Sequence, residues 1–357
     1  MNLNTIETIF QIGKFILFTP SSHTEKKPSR KKRLYGFVLI IFYTVGLFSY
    51  IPDRIPTFKT RTLMHSVILV ITDLNIYFSL VWLPIMVTQT TQSWYHLVRD
   101  LTKVCRSETN SKYSFFVFVS IPILCSFVME IKIIQGLRSQ FVAIYFLYFY
   151  HAFVLICFHF RVYAAVAVLQ MLQQGYQSQK KNIHRNILTC VDSYQISKRF
   201  VLVACNLFIL KKCVSYFNQI FGWSIMFSHI DQILRLLTYL DDLVRTPDST
   251  KPQDQFKLSV GMVALLIIII LFWISTIRLF LLCDQILKEF DQILNALARI
   301  KHFVKGTNSQ KYSLKGIKRC QPTFFAGKFY TIERSLIPSI FNTIITFFIV
   351  IIQFKIN

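Results

Sequence analysis

Residues 258–282 read LSVGMVALLIIIILFWISTIRLFLL, with a single charge at Arg278 and no proline. A helix rises about 1.5 Å per residue, so about 20 such residues cross a hydrocarbon core about 30 Å thick. Six further stretches have the same character: 34–51, 63–87, 114–134, 141–169, 213–240 and 329–354. The stretch 213–240 is the least apolar, because Asp231 and Arg235 fall inside it, and six spans is the competing count. The expectation is an all-α integral membrane protein with seven transmembrane helices.

Composition supports this. Hydrophobic residues make up 53% of the 357 and charged residues 16%, against about 25% charged in soluble domains. Several soluble domains and an intrinsically disordered chain are both excluded, and 10 Gly with 10 Pro exclude a collagen. A net charge of +23 in a chain this apolar points to basic cytoplasmic loops rather than to nucleic acid. The segments 1–33, 89–113, 170–212 and 283–328 hold 27 Lys and Arg, and the opposite side holds 8. The positive-inside rule then puts the N-terminus in the cytoplasm and, with seven spans, the C-terminus outside. That is the reverse of a G-protein-coupled receptor, and no acidic-Arg-Tyr triplet or Asn-Pro-x-x-Tyr follows the relevant spans.

Enzyme fingerprints are missing. The chain has no P-loop, no Gly-rich dinucleotide motif, no His-Glu-x-x-His and no Cys-x-x-Cys, so no cofactor or metal is expected. Cys157 and His159 are two apart and fall on different helix faces. Ionisable groups in hydrocarbon face protein or water because lipid solvates them poorly. Asp73 is mid-span in the second stretch, Glu130 and Lys132 are near the end of the third, and Asp231 and Arg235 pair at i,i+4 in the fifth. With Tyr145, Tyr148, His151 and Tyr239 they make candidates for an outward-opening ligand cavity. The alternative is a structural ion pair beside interfacial tyrosines.

Two further patterns concern assembly. Ile6, Ile9, Phe10, Gly13, Ile16 and Leu17 recur at helical spacing ahead of the basic cluster Lys26–Arg33, which reads as a membrane-skimming amphipathic helix. After the sixth span, Ile286, Phe290, Ile293, Leu297 and Ile300 follow a 4-3-4-3 seam. The seam fits either packing under the bundle or a subunit interface.

The seventh span identifies a family. Thr346 and Phe347 are followed by five apolar residues and then Gln353-Phe354. This resembles the C-terminal signature of insect gustatory receptors, Thr-Tyr, five hydrophobic residues and Gln-Phe, with Phe347 in place of the Tyr. Asn218-Gln-Ile-Phe221-Gly222 is similar to the family's Asn-x-x-Phe-Gly pattern. The resemblance implies a tetrameric ligand-gated cation channel in the plasma membrane of chemosensory neurons, with a small-molecule tastant and membrane lipid as partners. The assembly would be a homotetramer or a heteromer with other gustatory receptors. It implies a cytoplasmic segment 1–33, a ligand-binding bundle 34–282, an anchor 283–328 and a pore helix with a short tail 329–357. Gln353 and Phe354 would form the gate, with Thr346 and Phe347 lower on the same helix. Sugar receptors of the family carry Glu after the Thr-Tyr pair where this chain has Phe348, which favours a bitter, repellent or contact-pheromone ligand. The competing classes are a G-protein-coupled receptor and a multi-pass transporter. The transporter would need two related halves with broken helices, which the prolines at 84, 122 and 338 do not supply.

Overall fold

The computed structural model describes residues 3–22, 24–60, 63–104, 141–187, 193–245, 252–300 and 314–356. The chain runs through α1 (Leu3–Gly13), α2 (Arg30–Thr60), α3 (Leu63–Val104) and α4 (Phe141–Asn182), which ends in a π-turn at Ile183–Ile187. It continues through α5 (Ser193–Arg245), α6 (Pro252–Ile300), the short α7 (Leu314–Lys318), strands β1 (Phe325–Ala326) and β2 (Tyr330–Thr331), and α8 (Leu336–Ile356). Five of these helices, α2 to α6, contain stretches long and apolar enough to cross a membrane. The stretch 329–354 begins with the second strand of a hairpin whose turn Gly327 permits, and only then enters the 21-residue α8. The expected third span, 114–134, with Glu130 and Lys132, lies outside the described residues.

Helices α3 to α6 are 42, 42, 53 and 49 residues long, about twice what a bilayer needs at 1.5 Å per residue. Their surplus length gathers at the end of the bundle that carries the N-terminus and forms a packed base. Helix α3 lies along α5, and α4 lies along α6. In the spanning parts, Phe37, Phe48, Phe78, Ile267 and Ile274 are exposed. Those rings and methyls face lipid tails, which solvate them without cost.

The seam Ile286, Phe290, Ile293 and Leu297 is buried inside the single chain, with none of the four more than 1% exposed. It meets a matching stripe on α4 and its π-turn, Leu169, Leu172, Tyr176 and Ile183, also wholly buried. Tyr176 stands edge-on to Phe290 at 6.3 Å, and Lys180 on α4 pairs with Glu289 on α6 at 3.0 Å. These four residues therefore hold no surface for a second subunit, and the subunit-interface reading is corrected to packing within the base.

The N-terminal segment is also corrected. Ile6, Ile9, Phe10, Ile16, Leu17 and Phe18 are all buried against the bundle. Phe10 and Phe18 stand edge-on to Trp94 at 5.3 and 6.1 Å, and Phe18 also meets Phe160 and Phe221. The chain can turn back after α1 because residue 13 is glycine. A Cβ there would sit 2.5 Å from the Thr19 hydroxyl, and Phe18 N–H donates to the Gly13 carbonyl at 2.8 Å. An amphipathic stripe reads the same whether its apolar face meets lipid or protein. Here protein covers it.

Candidate functional site

The helices are cross-linked near mid-span by buried polar groups. Asn75 on α3 donates to the Phe227 carbonyl of α5 at 3.2 Å. Gln232 on α5 exchanges hydrogen bonds of 2.7 and 2.9 Å with Thr276 on α6. Arg161 on α4, 1% exposed, donates through Nη1 to Ser79 Oγ at 2.8 Å and through Nε to the Cys157 carbonyl at 3.2 Å. Its guanidinium lies 4.1 Å over the Phe158 ring. Buried donors of this kind persist where every alternative partner is hydrocarbon.

Asp231 belongs to the same layer. It is fully buried, and its Oδ2 accepts from Arg235 Nε at 2.7 Å, the pair expected from the i,i+4 spacing. Among the described residues its Oδ1 and the Nη2 of Arg161 each lack a hydrogen-bond partner. The carboxylate also lies close enough to act electrostatically on Arg161.

The other sequence candidates separate. Tyr239 packs with Ile269, Trp273 and Ile344, on the α6 and α8 side. Asp73 is half-buried on α3 and makes its own interaction. Tyr148 and His151 lie on α4, and their side chains are outside the described residues. Arg161 was missed by sequence reasoning, although an arginine within the apolar run Val154–Leu169 was the available signal. His65 and Asp241 were also missed. They form a buried hydrogen bond that joins α3 to the far end of α5. Among the described residues no group of three or more His, Cys, Asp or Glu side chains is placed to hold a metal ion.

A second assembly leads into α8. Asn218 on α5 brackets the hairpin, donating to the Thr323 carbonyl at 2.7 Å and accepting from Phe325 N–H at 3.1 Å. Phe221, fully buried, stacks on Phe217 at 4.9 Å and meets Trp94. Gly222 lets the hairpin backbone close on α5, since a Cβ there would come to 3.0 Å from the Phe325 carbonyl oxygen. One helical turn of α5 thus supplies a clamp, a packing ring and a gap. Further along, buried His229 shares a 2.6 Å hydrogen bond between its Nδ1 and the Tyr330 hydroxyl. The hairpin ties α5 to the helix that follows.

Helix α8 itself buries little. Ile344 is its one buried residue among those described, packed on Ile269 and Trp273. Thr346, Phe347 and Gln353 are exposed, and Phe354 lies in α8 with its side chain outside the described residues. Thr346 donates to the Asn342 carbonyl of its own helix at 2.9 Å.

The model of the 7tm chemosensory receptor family matches residues 6–357. The chain belongs to that family. Among solved structures, the receptor resembles the insect olfactory receptor OR5 from Machilis hrabei, with a TM-score of 0.59 over 98% of each chain at 12% identity. At that identity the likeness speaks for the fold, a multi-pass helical receptor. No curated protein matches it.

Proposed function

We propose that this receptor is a gustatory chemoreceptor acting as a ligand-gated cation channel, with its N-terminus in the cytoplasm and its C-terminus outside. The observation that carries the reading is the pattern on α8. Asn342, Thr346 and Gln353 are all exposed and fall within about 40° around the helix axis at 100° per residue. Ile344, which anchors α8 to the bundle, lies on the opposite face by the same arithmetic. An otherwise apolar helix therefore turns a polar stripe directly away from its own chain. Four copies around an axis would bring those stripes together on a wetted pore, with Ile349 at the stripe's edge, while Phe341 and Ile345, also exposed, face lipid or the neighbouring copies.

In this reading residues 329–357 form the pore, 283–328 the anchor and 34–282 the ligand-binding bundle. Gln353 and Phe354 form the constriction, and the apolar ring sets a dewetting barrier. The ligand is a small, largely apolar compound of the bitter, repellent or contact-pheromone kind. It enters from outside toward the layer of Asp231 and Arg235, with Asp73, Tyr148, His151 and Tyr239 as further candidates. The receptor sits in the plasma membrane of chemosensory neurons as a homotetramer or with other gustatory receptors. Phe354→Ala tests the gate: in surface-expressing cells the variant should carry ligand-independent current, and a basal conductance equal to wild type would remove Phe354 from the constriction.

A further inference from the structure

A cleft of about 730 Å³ opens between α3, α5 and the β1–β2 hairpin, away from the mid-span polar layer. Its volume lies in the range of small-ligand sites, about 300–1,000 Å³. Trp82 and Trp223 line it, with ring centroids 5.1 Å apart. Beyond the tryptophans the lining turns polar, with Gln219 and Asn218 among it and, among the described residues, Lys211 and Lys328 as its charges and no carboxylate. Lys211 is exposed and gives one of its three protons to the Arg319 carbonyl. Lys328 is exposed too, in a turn where Gly327 and Lys328 have φ of 57° and 66°. Two successive left-handed residues make the tight hairpin turn that matches strand twist, and lysine is an uncommon occupant of such a position.

The depth of the cleft follows from the chain. Trp82 is near the end of the apolar run 63–87 and Trp223 is within the first half of 213–240, while Lys211 falls just ahead of that run. The cleft therefore runs from the hydrocarbon toward the water–lipid boundary at the base, with Trp82 and Trp223 about 8 and 15 Å inside the ends of their apolar runs at 1.5 Å per residue and the Lys211 ammonium at the boundary. We propose that this cleft binds the headgroup of an anionic phospholipid from the leaflet facing the base. Under the proposed orientation that is the cytoplasmic leaflet, the one that carries anionic lipid. Its wall is the hairpin that leads into α8, so an occupied cleft braces the segment on which the pore helix hangs.

The test uses the full chain in nanodiscs of phosphatidylcholine, doped with brominated phosphatidylserine or with brominated phosphatidylcholine, and reads tryptophan fluorescence. Trp82 and Trp223 should be quenched by the anionic lipid at a several-fold lower mole fraction. Lys211→Gln and Lys328→Gln should each weaken that preference by about fivefold, from the energy of a basic residue near an anionic surface. Lys328→Arg should keep it, and Trp82→Phe with Trp223→Phe should remove the preferential quenching while leaving the emission of Trp94, which is buried inside the protein, unchanged. Equal quenching by both lipids, or a preference that survives both glutamine substitutions, overturns the proposal. A soluble inositol phosphate that displaces the quenching lipid at micromolar concentration would assign the cleft to a free phosphate and overturn the lipid assignment. Nanodiscs present both leaflets alike, so a negative result bears on the cleft alone, whereas epitope tags on the two termini test the orientation alone.

Discussion

The base and α8 are both rich in apolar residues and have opposite fates. In the base, Leu172, Tyr176, Ile286, Phe290 and Ile293 are no more than 1% exposed, and each finds its partner on another helix of the same chain. On α8, Phe341, Ile345, Phe347 and Ile349 are between 42% and 55% exposed. Hydrophobicity alone does not tell the two apart. What differs is charge spacing: the base helices carry matched pairs such as Lys180 with Glu289 and Lys288 with Asp284 along their flanks, which suits water. Helix α8 has one basic residue, Lys355, near its end. One region completes itself, and the other does not.

Charging each region should separate them most sharply. Ile293→Asp puts a carboxylate where no water reaches and no cation is paired, and the penalty for an unpaired buried polar or charged group is several kcal/mol, about 5 or more for a full charge. The variant should fail to reach the cell surface, and a monomeric detergent preparation should melt well below wild type. Phe347→Asp should leave that monomer's melting unchanged and abolish assembly or current. If Ile293→Asp instead yields well-folded monomers that merely do not associate, the base is not a self-contained core.

The next largest effect concerns the layer between the two regions. Asp231→Asn removes the one carboxylate that Arg235 bonds and that also acts on Arg161. Breaking a fully buried pair costs about 3–5 kcal/mol, and the cost here falls toward the lower end because the Arg235 side chain is 21% exposed. Surface delivery should fall strongly, and Asp231→Asn with Arg235→Gln should recover part of it in a double-mutant cycle. A single variant with wild-type delivery and wild-type response would show that water reaches this layer freely.

Much of the architecture could be read from periodicity. The spans at 63–87, 213–240 and 258–282 fall within α3, α5 and α6, and the 4-3 seam was correct as a seam. Its partner was not found, because the facing stripe Leu169, Leu172, Tyr176 and Ile183 lies over 100 residues upstream. Gln179 also interrupts that stripe's apolar pattern. Whether a heptad meets its own chain or another is decided by loop closure, and spacing carries no record of that. Arg161 was hidden for a different reason: Phe158, Phe160 and Val162 around it made the run look like plain hydrocarbon. The Asn218–Gly222 motif was recognisable as a pattern, but its work is done on Thr323 and Phe325, and no local rule connects them.

The joint between the regions gives the two smaller effects. Gly222→Ala would place a Cβ 3.0 Å from one hairpin backbone oxygen and 3.2 Å from the Gly327 nitrogen. Backbone cannot rotate away as a side chain can, so the hairpin must move, at about 1–3 kcal/mol for overpacking. Thermal melting should drop by an amount between those of Asp231→Asn and Tyr330→Phe. An unchanged melting temperature would mean that the close approach of hairpin to α5 is not needed to hold α8 in place.

Tyr330→Phe is the smallest change and the one aimed most directly at communication across the joint. It keeps the ring, which stacks on His229 at 6.1 Å with the planes 23° apart, and removes the hydroxyl that shares the 2.6 Å hydrogen bond. A neutral hydrogen bond contributes about 1 kcal/mol to stability, so folding and surface delivery should be nearly those of wild type. Gating is another matter. His229 also meets Phe280 on α6 at 5.0 Å, so its ring joins α5, α6 and the strand that precedes α8. If ligand binding in the bundle reaches the pore through this contact, loosening it by about 1 kcal/mol should shift the agonist concentration for half-maximal current by about fivefold, with the maximal current at saturating agonist little changed. His229→Phe should shift it in the same direction, since it removes the other half of the bond. A dose–response curve that coincides with wild type for both variants would leave the clamp at Asn218 and Gly222 as the route by which the self-contained bundle moves the helix outside it.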